Sequence, residues 1–522
     1  MIWKIAKKEF LLNLMTFKFA VGTIVCVVLT AVFMPVLAGD YQQRLKDYNE
    51  NVAANNAKFE KVKAYRTITP TVYKPPVVLS VFSEGLEKRL ASSAKIEPES
   101  IPEMNPGLAE DNPFLTIFPT LDVSLVFKTV ISILALLVGY DVISGEKEWG
   151  TLKLILSGTI ARHQVLLGKL LAGLMTLAVP ITIAFVTGLL VLEFSPMIDL
   201  TGSNWARIGL IYFTSLIFIS AMYNVGLLFS CLAGRSAVSL MLGLFFWVVF
   251  AVVIPNGTAR MASQIQPLEP KEKMDSQVAA ITKDIEKEAE QIGPQLEGFT
   301  RGSVSMYEGA FGERMYCSVV SNREVEYRIK RYALEDSLQM KYAGKVWEVK
   351  HHYISDLFKQ KHIAGNLSRI SPISLYENVM SALAGTDAAS SQYFVGRARR
   401  YRNDIIEYVR SKTHNYSLPS YFTPCSEEDM MECERLSAGW VEAIEAKDKA
   451  KEKAMKDAYF KWLDRKTATH PSLDLRDMPQ FFYQPAVTGD LRKAILDLGL
   501  LVFVNVLFFV LSFFVFVKYD VR

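Results

Sequence analysis

Six stretches of the chain are apolar enough, for long enough, to cross a bilayer core of about 30 Å, which takes roughly twenty residues of helix. They are residues 19–38, 121–141, 165–192, 207–232, 236–255 and 491–517. Between them the pattern changes character. Residues 1–18 hold Lys4, Lys7, Lys8 and Lys18 beside a stripe of Trp3, Ala6, Phe10, Leu14 and Phe17, the pattern of a helix lying in a membrane interface. The uncharged run after it is longer than a signal-peptide core, so it reads as a retained anchor. Residues 144–157 are short and amphipathic, with Trp149, Leu152, Ile155 and Leu156 at helical spacing and Glu146, Lys147, Glu148 and Lys153 polar. Ser144 is placed to cap such a helix, with Glu146 and Glu148 in its first turn.

The polar remainder falls into two blocks. Residues 39–120 begin as a charged helix from Tyr41 to about Tyr65 and continue as Pro-rich extended segments. Residues 256–490 carry long charged helical patterns at Met274–Ile292, Glu324–Tyr353, Arg397–Ser411 and Glu427–Leu463, with apolar positions too sparse for a thick core, as in hairpins or coiled-coil-like stalks. The segment Ile363–Gly385 has few charges and reads either as a return to the membrane surface or as a buried element of this block. Pro255-Asn-Gly257 reads as a turn ending the fifth span, and Pro180 as a kink within the third. The expected architecture is mainly α: a six-span transmembrane helical bundle with a large, mostly helical extracytoplasmic domain. Its parts are an interfacial helix and first span (1–38), a first outer segment (39–120), spans two to five with the 144–157 helix (121–255), a second outer segment (256–490), and the last span with its tail (491–522).

Charge orients this plan. Lysines at the N-terminus, Arg162, His163 and Lys169 after the second span, and Lys518 and Arg522 after the last all lie on one side, which the positive-inside rule makes the cytoplasm. Both termini are then cytoplasmic. Of the 522 residues, 50% are hydrophobic and 21% charged, which fits a membrane protein with large aqueous parts. The net charge of +4 gives no case for nucleic acid.

Candidate chemistry is sparse. Lys128 falls within the second span and reads either as a substrate or ion contact or as a lysine snorkelling to the outer interface. Asp497, about two turns into the last span, faces either an aqueous vestibule or the headgroups. These two are the candidate residues of a translocation path. Cys425 and Cys433 are close enough in sequence to form a disulfide, while Cys26 and Cys231 lie in apolar runs. His351 and His352 are adjacent and would diverge on a helix, a poor metal pair. No phosphate-cradling G-x-x-x-x-G-K-[ST] occurs, nor H-E-x-x-H, nor G-x-S-x-G. The chain reads as a non-enzyme that binds no cofactor of its own.

The run Asp141-Val-Ile-Ser-Gly-Glu-Lys-Glu-Trp-Gly-Thr-Leu-Lys-Leu-Ile-Leu156, followed by Arg162 and Leu167-Gly-Lys169, closely resembles the first cytoplasmic loop of exporter-type ABC transporter permeases. Ser371-Pro, Ala382-Leu-Ala-Gly-Thr386 and Phe394 with Arg397 and Arg400 resemble the end of the outer region in the subgroup related to copper-enzyme-maturation and gliding-motility permeases. The resemblance implies that the loop is a coupling helix docking on an ATP-binding subunit, with Glu146, Lys147, Glu148, Trp149, Gly150, Thr151 and Leu152 at the interface. Trp149 and Leu152 would form one apolar ridge, and Trp149 stands where the family often has Arg or Lys. It further implies two ATPase copies carrying ATP and Mg, and a second permease, identical or paralogous. The size of the outer segments leaves two alternatives: a membrane-anchored scaffold or sensor binding an extracytoplasmic partner, and a mechanotransmission protein that moves its outer domain without transport.

Overall fold

The computed structural model describes residues 1–60, 62, 65, 68–90, 92–103, 122–157, 160–198, 200–296, 304–307, 317–413, 421–425, 427–467, 473–484 and 488–519. Helix α1 (Ile2–Leu14) is amphipathic and packs on α7 (Arg162–Glu193), where Ala6 is buried and Ile5 sits against Gly168. Trp3, Leu11 and Leu12 are exposed on its other side. The Thr16 hydroxyl then accepts the Phe19 N–H at 3.4 Å and starts α2 (Phe17–Phe59).

Helix α2 is one unbroken element of 43 residues, where the pattern predicts a span and a separate charged helix. The polarity changes at Asp40, but no breaker follows, so the helix continues. At 1.5 Å per residue it is about 65 Å long, twice a bilayer core. The second span is α3 (Val123–Val126), a π turn (Phe127–Ile131) and α4 (Ser132–Gly139); Asp122 caps it by accepting the Leu125 N–H at 2.8 Å. Helix α7 runs through Pro180, and α8 (Gly202–Leu232) follows it, capped by Thr201. The fifth span is α9 (Ser236–Val248), a π turn (Val249–Val253) and α10 (Ile254–Ile265). Helix α10 passes straight through Pro255-Asn-Gly257, which therefore makes no turn. The proline stands at the start of a new α-helical stretch, where its missing N–H costs little, and the π turn before it absorbs the mismatch. The last span belongs to α18 (Thr488–Val517).

Among the described residues these give six helices whose length and composition suit membrane crossing. Helix α8 is their centre: 72% of its most apolar window is buried, against 11% for the fifth span and 17% for the last. Close backbone approach makes this centre. A Cβ on Gly226 would lie 3.2 Å from Gly139 Cα, and one on Gly173 would strike the Tyr223 ring. Small residues let spans meet where burial in water supplies no drive. Asn505 of α18 adds polar contacts to α8: its Nδ2 donates to the Ile217 carbonyl at 3.0 Å, and its Oδ1 accepts from Asn224 at 2.5 Å and Ser220 at 3.1 Å.

The polar blocks gather at the end of the bundle remote from the 141–157 loop. In the larger one, α11 (Lys271–Glu290) and α12 (Ile292–Gln295) pack on α13 (Asn322–Ser368), a helix of 47 residues. Helix α14 (Pro372–Ala384) follows, and then α15 (Ala388–Thr413). Residues of the smaller block, Ile68, Val72 and Ile96, bury against Phe394, Tyr401 and Ile405 of α15, joining both blocks in one core. There β1 (Thr71–Tyr73) and β2 (Ser93–Lys95) pair antiparallel. A second sheet joins β3 (Val304–Tyr307) antiparallel to β4 (Cys317–Ser321), and β4 parallel to β5 (Tyr421–Cys425). The expected 427–463 helix is two, α16 (Glu427–Glu445) and α17 (Lys449–Thr467), turning at Lys447, whose φ is 55°.

Helix α14 is the piece that joins domain to spans. Ser371 caps it by accepting the N–H groups of Ile373 and Ser374, and Gly385 at φ 74° ends it. Its apolar side belongs to the same core as the spans, with Tyr376 stacked on Phe218 at 4.3 Å.

Candidate functional site

The 141–157 loop is two short helices, α5 (Ser144–Glu148) and α6 (Thr151–Ser157), where the sequence predicts one. Gly150 between them has a φ of 72°. A Cβ there would meet nothing within 4 Å, so only the left-handed backbone calls for glycine. Ser144 does not cap α5: helical turns continue from the span, with Gly145 N–H bonded to the Asp141 carbonyl and Lys147 N–H to that of Ile143. The first N–H groups thus already have partners. The Ser144 hydroxyl donates back to the Tyr140 carbonyl at 2.7 Å.

The seven expected interface residues divide. Glu146 turns inward and lies 2.7 Å from Lys169 of α7, whose Nζ is also 3.4 Å from Glu9 of α1. Lys169 is 4% exposed, so a charge from each of three elements meets in one buried knot. Lys147 donates to the carbonyls of Cys231 and Ala233, closing the C-terminal end of α8, where carbonyls lack helical partners. The exposed Glu148 accepts the Ser236 N–H at 3.0 Å, at the start of α9. Leu152 is 0% exposed, inside the span core. Trp149, Gly150 and Thr151 face outward. Trp149 and Leu152 therefore make no common ridge; the outward apolar pair is Trp149, 84% exposed, with Leu154, 74% exposed.

Further contacts fasten the ends of this region. Lys18 lies 2.6 Å from Asp141 and its Nζ stands 4.8 Å from the centre of the Tyr140 ring. Arg162 donates to the carbonyls of Val517 and Tyr519 at the end of the last span. The loop is thereby held to α2, α7, α8 and α9, and the chain beyond it to α18. In the sequence Lys169 counts as a topological charge and as part of the Leu167-Gly-Lys169 resemblance, not as a buried partner of Glu146; its place after Gly168, ahead of two apolar turns, is the local signal.

At the domain end, Lys128 is bonded to Glu377 of α14, and Arg369 at the end of α13 holds Asp497 with its Nε 2.5 Å from Oδ1. Both sequence-flagged residues therefore carry partners, and both line one cavity of about 970 Å³. Neither Glu377 nor Arg369 had stood out in the sequence. Each pair joins a span to the outer block. Ser371 adds a third tie, donating to the Phe250 carbonyl at 2.7 Å. Cys433 is buried beside Tyr459 and Trp462, whereas the Cys425 side chain, and with it the expected disulfide, lies outside the described residues. His351 stacks on Trp347 at 4.6 Å. Desolvation, then the nearby Arg399 and His352, push its pKa below the usual histidine range.

Six apolar helices around a buried centre, with a clamped loop at one end and a helical domain at the other, define a multi-pass helical membrane protein. The family described as ABC-2 family transporter protein matches residues 3–521, and the chain belongs to it. It is accordingly a transmembrane subunit of an ABC transporter, of the kind that associates with an ATP-binding subunit. No curated protein matches the chain.

Proposed function

We propose that the chain is the permease of an ATP-driven exporter and that residues 144–157 dock on its ATPase. One observation carries this reading: Trp149 is 84% exposed while the residues around it are fixed to the spans. A large side chain left in solvent on a rigid mount suits a pocket on a partner, and Trp is enriched among residues that dominate binding. The docking face is then Trp149, Gly150, Thr151 and Leu154, while Glu146, Lys147, Glu148 and Leu152 hold it in place. ATP and Mg would sit on the partner, in two copies, and a second permease, identical or paralogous, would complete the unit. Both termini and the loop would be cytoplasmic, in the inner membrane of a bacterium. Nucleotide binding supplies the differential energy between two global states that such a machine needs. Trp149→Ala and Gly150→Asp should each cut co-purification of the ATPase, Trp149→Ala by roughly thirtyfold in affinity, the scale of a hot-spot residue. Undiminished co-purification with both variants would remove the loop as the docking site.

A second reading is favoured by the three ties between spans and outer block. Movement of the spans would then drag α13 and α14, so that the outer domain itself performs work on an extracytoplasmic protein, with or without solute passage.

A further inference from the structure

The cavity at the domain end is open, and it lies between the 83–89 turn, α13, α14 and the start of α18. Two ion pairs engage the basic side chains of its floor. Lys128 is engaged by Glu377 and Arg369 by Asp497. The two oxygens of Asp122 accept the N–H groups of Glu84 at 3.0 Å and Leu125 at 2.8 Å. On the wall, Lys359 is held by Asp356 at 2.9 Å. Three cavity-lining groups able to carry positive charge are left: Arg89, Lys361 and His362. Among the described residues none of the three forms an ion pair. Asp387 is the acid that acts on Lys361, and it acts on Lys74 as well while its Oδ1 accepts the Ser390 N–H at 3.1 Å. Desolvation in the wall pushes Lys361 below the usual lysine range, against the pull of Asp387. Asp387 itself lines the cavity, so Arg89 and Lys361 face one carboxylate on this wall, an excess of one positive charge before His362 is counted. Leu86, Phe358 and Ile363 line the same space and offer apolar contact.

We propose that this cavity binds an organic phosphate, its oxyanion held by Arg89, Lys361 and His362 and its organic part by Leu86 and Phe358. A phosphate offers three acceptor oxygens and suits donors arriving from two walls, Arg89 from the turn and Lys361 with His362 from α13. The volume is at the upper end of small-molecule sites, which leaves room for far more than the ion. At the ends of the spans, the phosphate is either a lipid headgroup or a soluble ester; the chemistry recognised is the same. The site lies at the opposite end of the bundle from the 144–157 loop and does not depend on the docking reading.

The test uses the full chain, delipidated in detergent, titrated separately with glycerol 3-phosphate and with a fluorescent short-chain phosphatidylglycerol. Saturable binding of at least one probe is expected. Arg89→Gln with Lys361→Gln should weaken it at least tenfold, while Lys449→Gln on α17, outside the cavity, keeps wild-type affinity. Binding of the ester supports a soluble ligand, and binding of the lipid alone supports a headgroup. Should the double variant lose its thermal transition, Lys361→Gln alone must weaken binding at least threefold. If neither probe saturates, or if the variants bind as tightly as wild type, the proposal fails.

Discussion

Lys169 shows how one buried charge ties a loop to a bundle. It sits at 4% exposure between Glu146 of α5 and Glu9 of α1, with Tyr223 donating to its own carbonyl at 3.0 Å. One oxygen of Glu146 has no hydrogen-bond partner, so that carboxylate leans on the lysine. Removing one member of a buried pair leaves an uncompensated charge, at a cost of about 3–5 kcal/mol. Lys169→Met should therefore lower the thermal midpoint of the purified chain by several degrees. A midpoint equal to wild type would show that the knot contributes no such stabilisation.

At the scale of elements, α8 is central because its neighbours come so close. Gly139 and Gly226 face each other, backbone to backbone, and no side chain fits between them. Gly226→Leu should force α4 and α8 apart. Overpacking of this kind costs about 1–3 kcal/mol or more, to be read as a lowered thermal midpoint or reduced yield of folded chain. Gly209, in the same helix, is the control, because a Cβ added there would meet nothing within 4 Å. Gly209→Ala should be neutral or slightly stabilising. Equal losses from both would mean that helix composition, and not the contact, sets the effect.

Across the whole molecule, the outer block and the spans share one core through α14, and two ion pairs flank that junction. They are not equivalent. The Lys128–Glu377 pair is partly solvated and should contribute at most about 1 kcal/mol. Asp497 is buried, so losing Arg369 strands it in the last span. Arg369→Gln should therefore destabilise more than the double variant Arg369→Gln with Asp497→Asn, and more than Lys128→Gln. Backbone hydrogen exchange across residues 372–384 is the measurement; a double variant as labile as Arg369→Gln would discount the stranded charge.

How much of this was legible follows from where the causes lie. Six apolar runs and the family of the loop are written in local pattern, because membrane crossing depends on about twenty consecutive residues and little else. The sharp turn at Gly150 is not written there, since the pattern predicts one helix straight through it. The pattern was silent on facing. Periodicity grouped Trp149 with Leu152 on one stripe, but a positive φ at Gly150 rotates α6 away from α5, so Leu152 went into the core and Trp149 into solvent. Lys128 and Asp497 stood out as charges among apolar residues, yet their partners Glu377 and Arg369 are 249 and 128 positions away. Only the tertiary fold brings such residues together, since no local rule carries information over that distance. The same holds for Arg89 and Lys361, ordinary surface charges until folding sets them around one cavity.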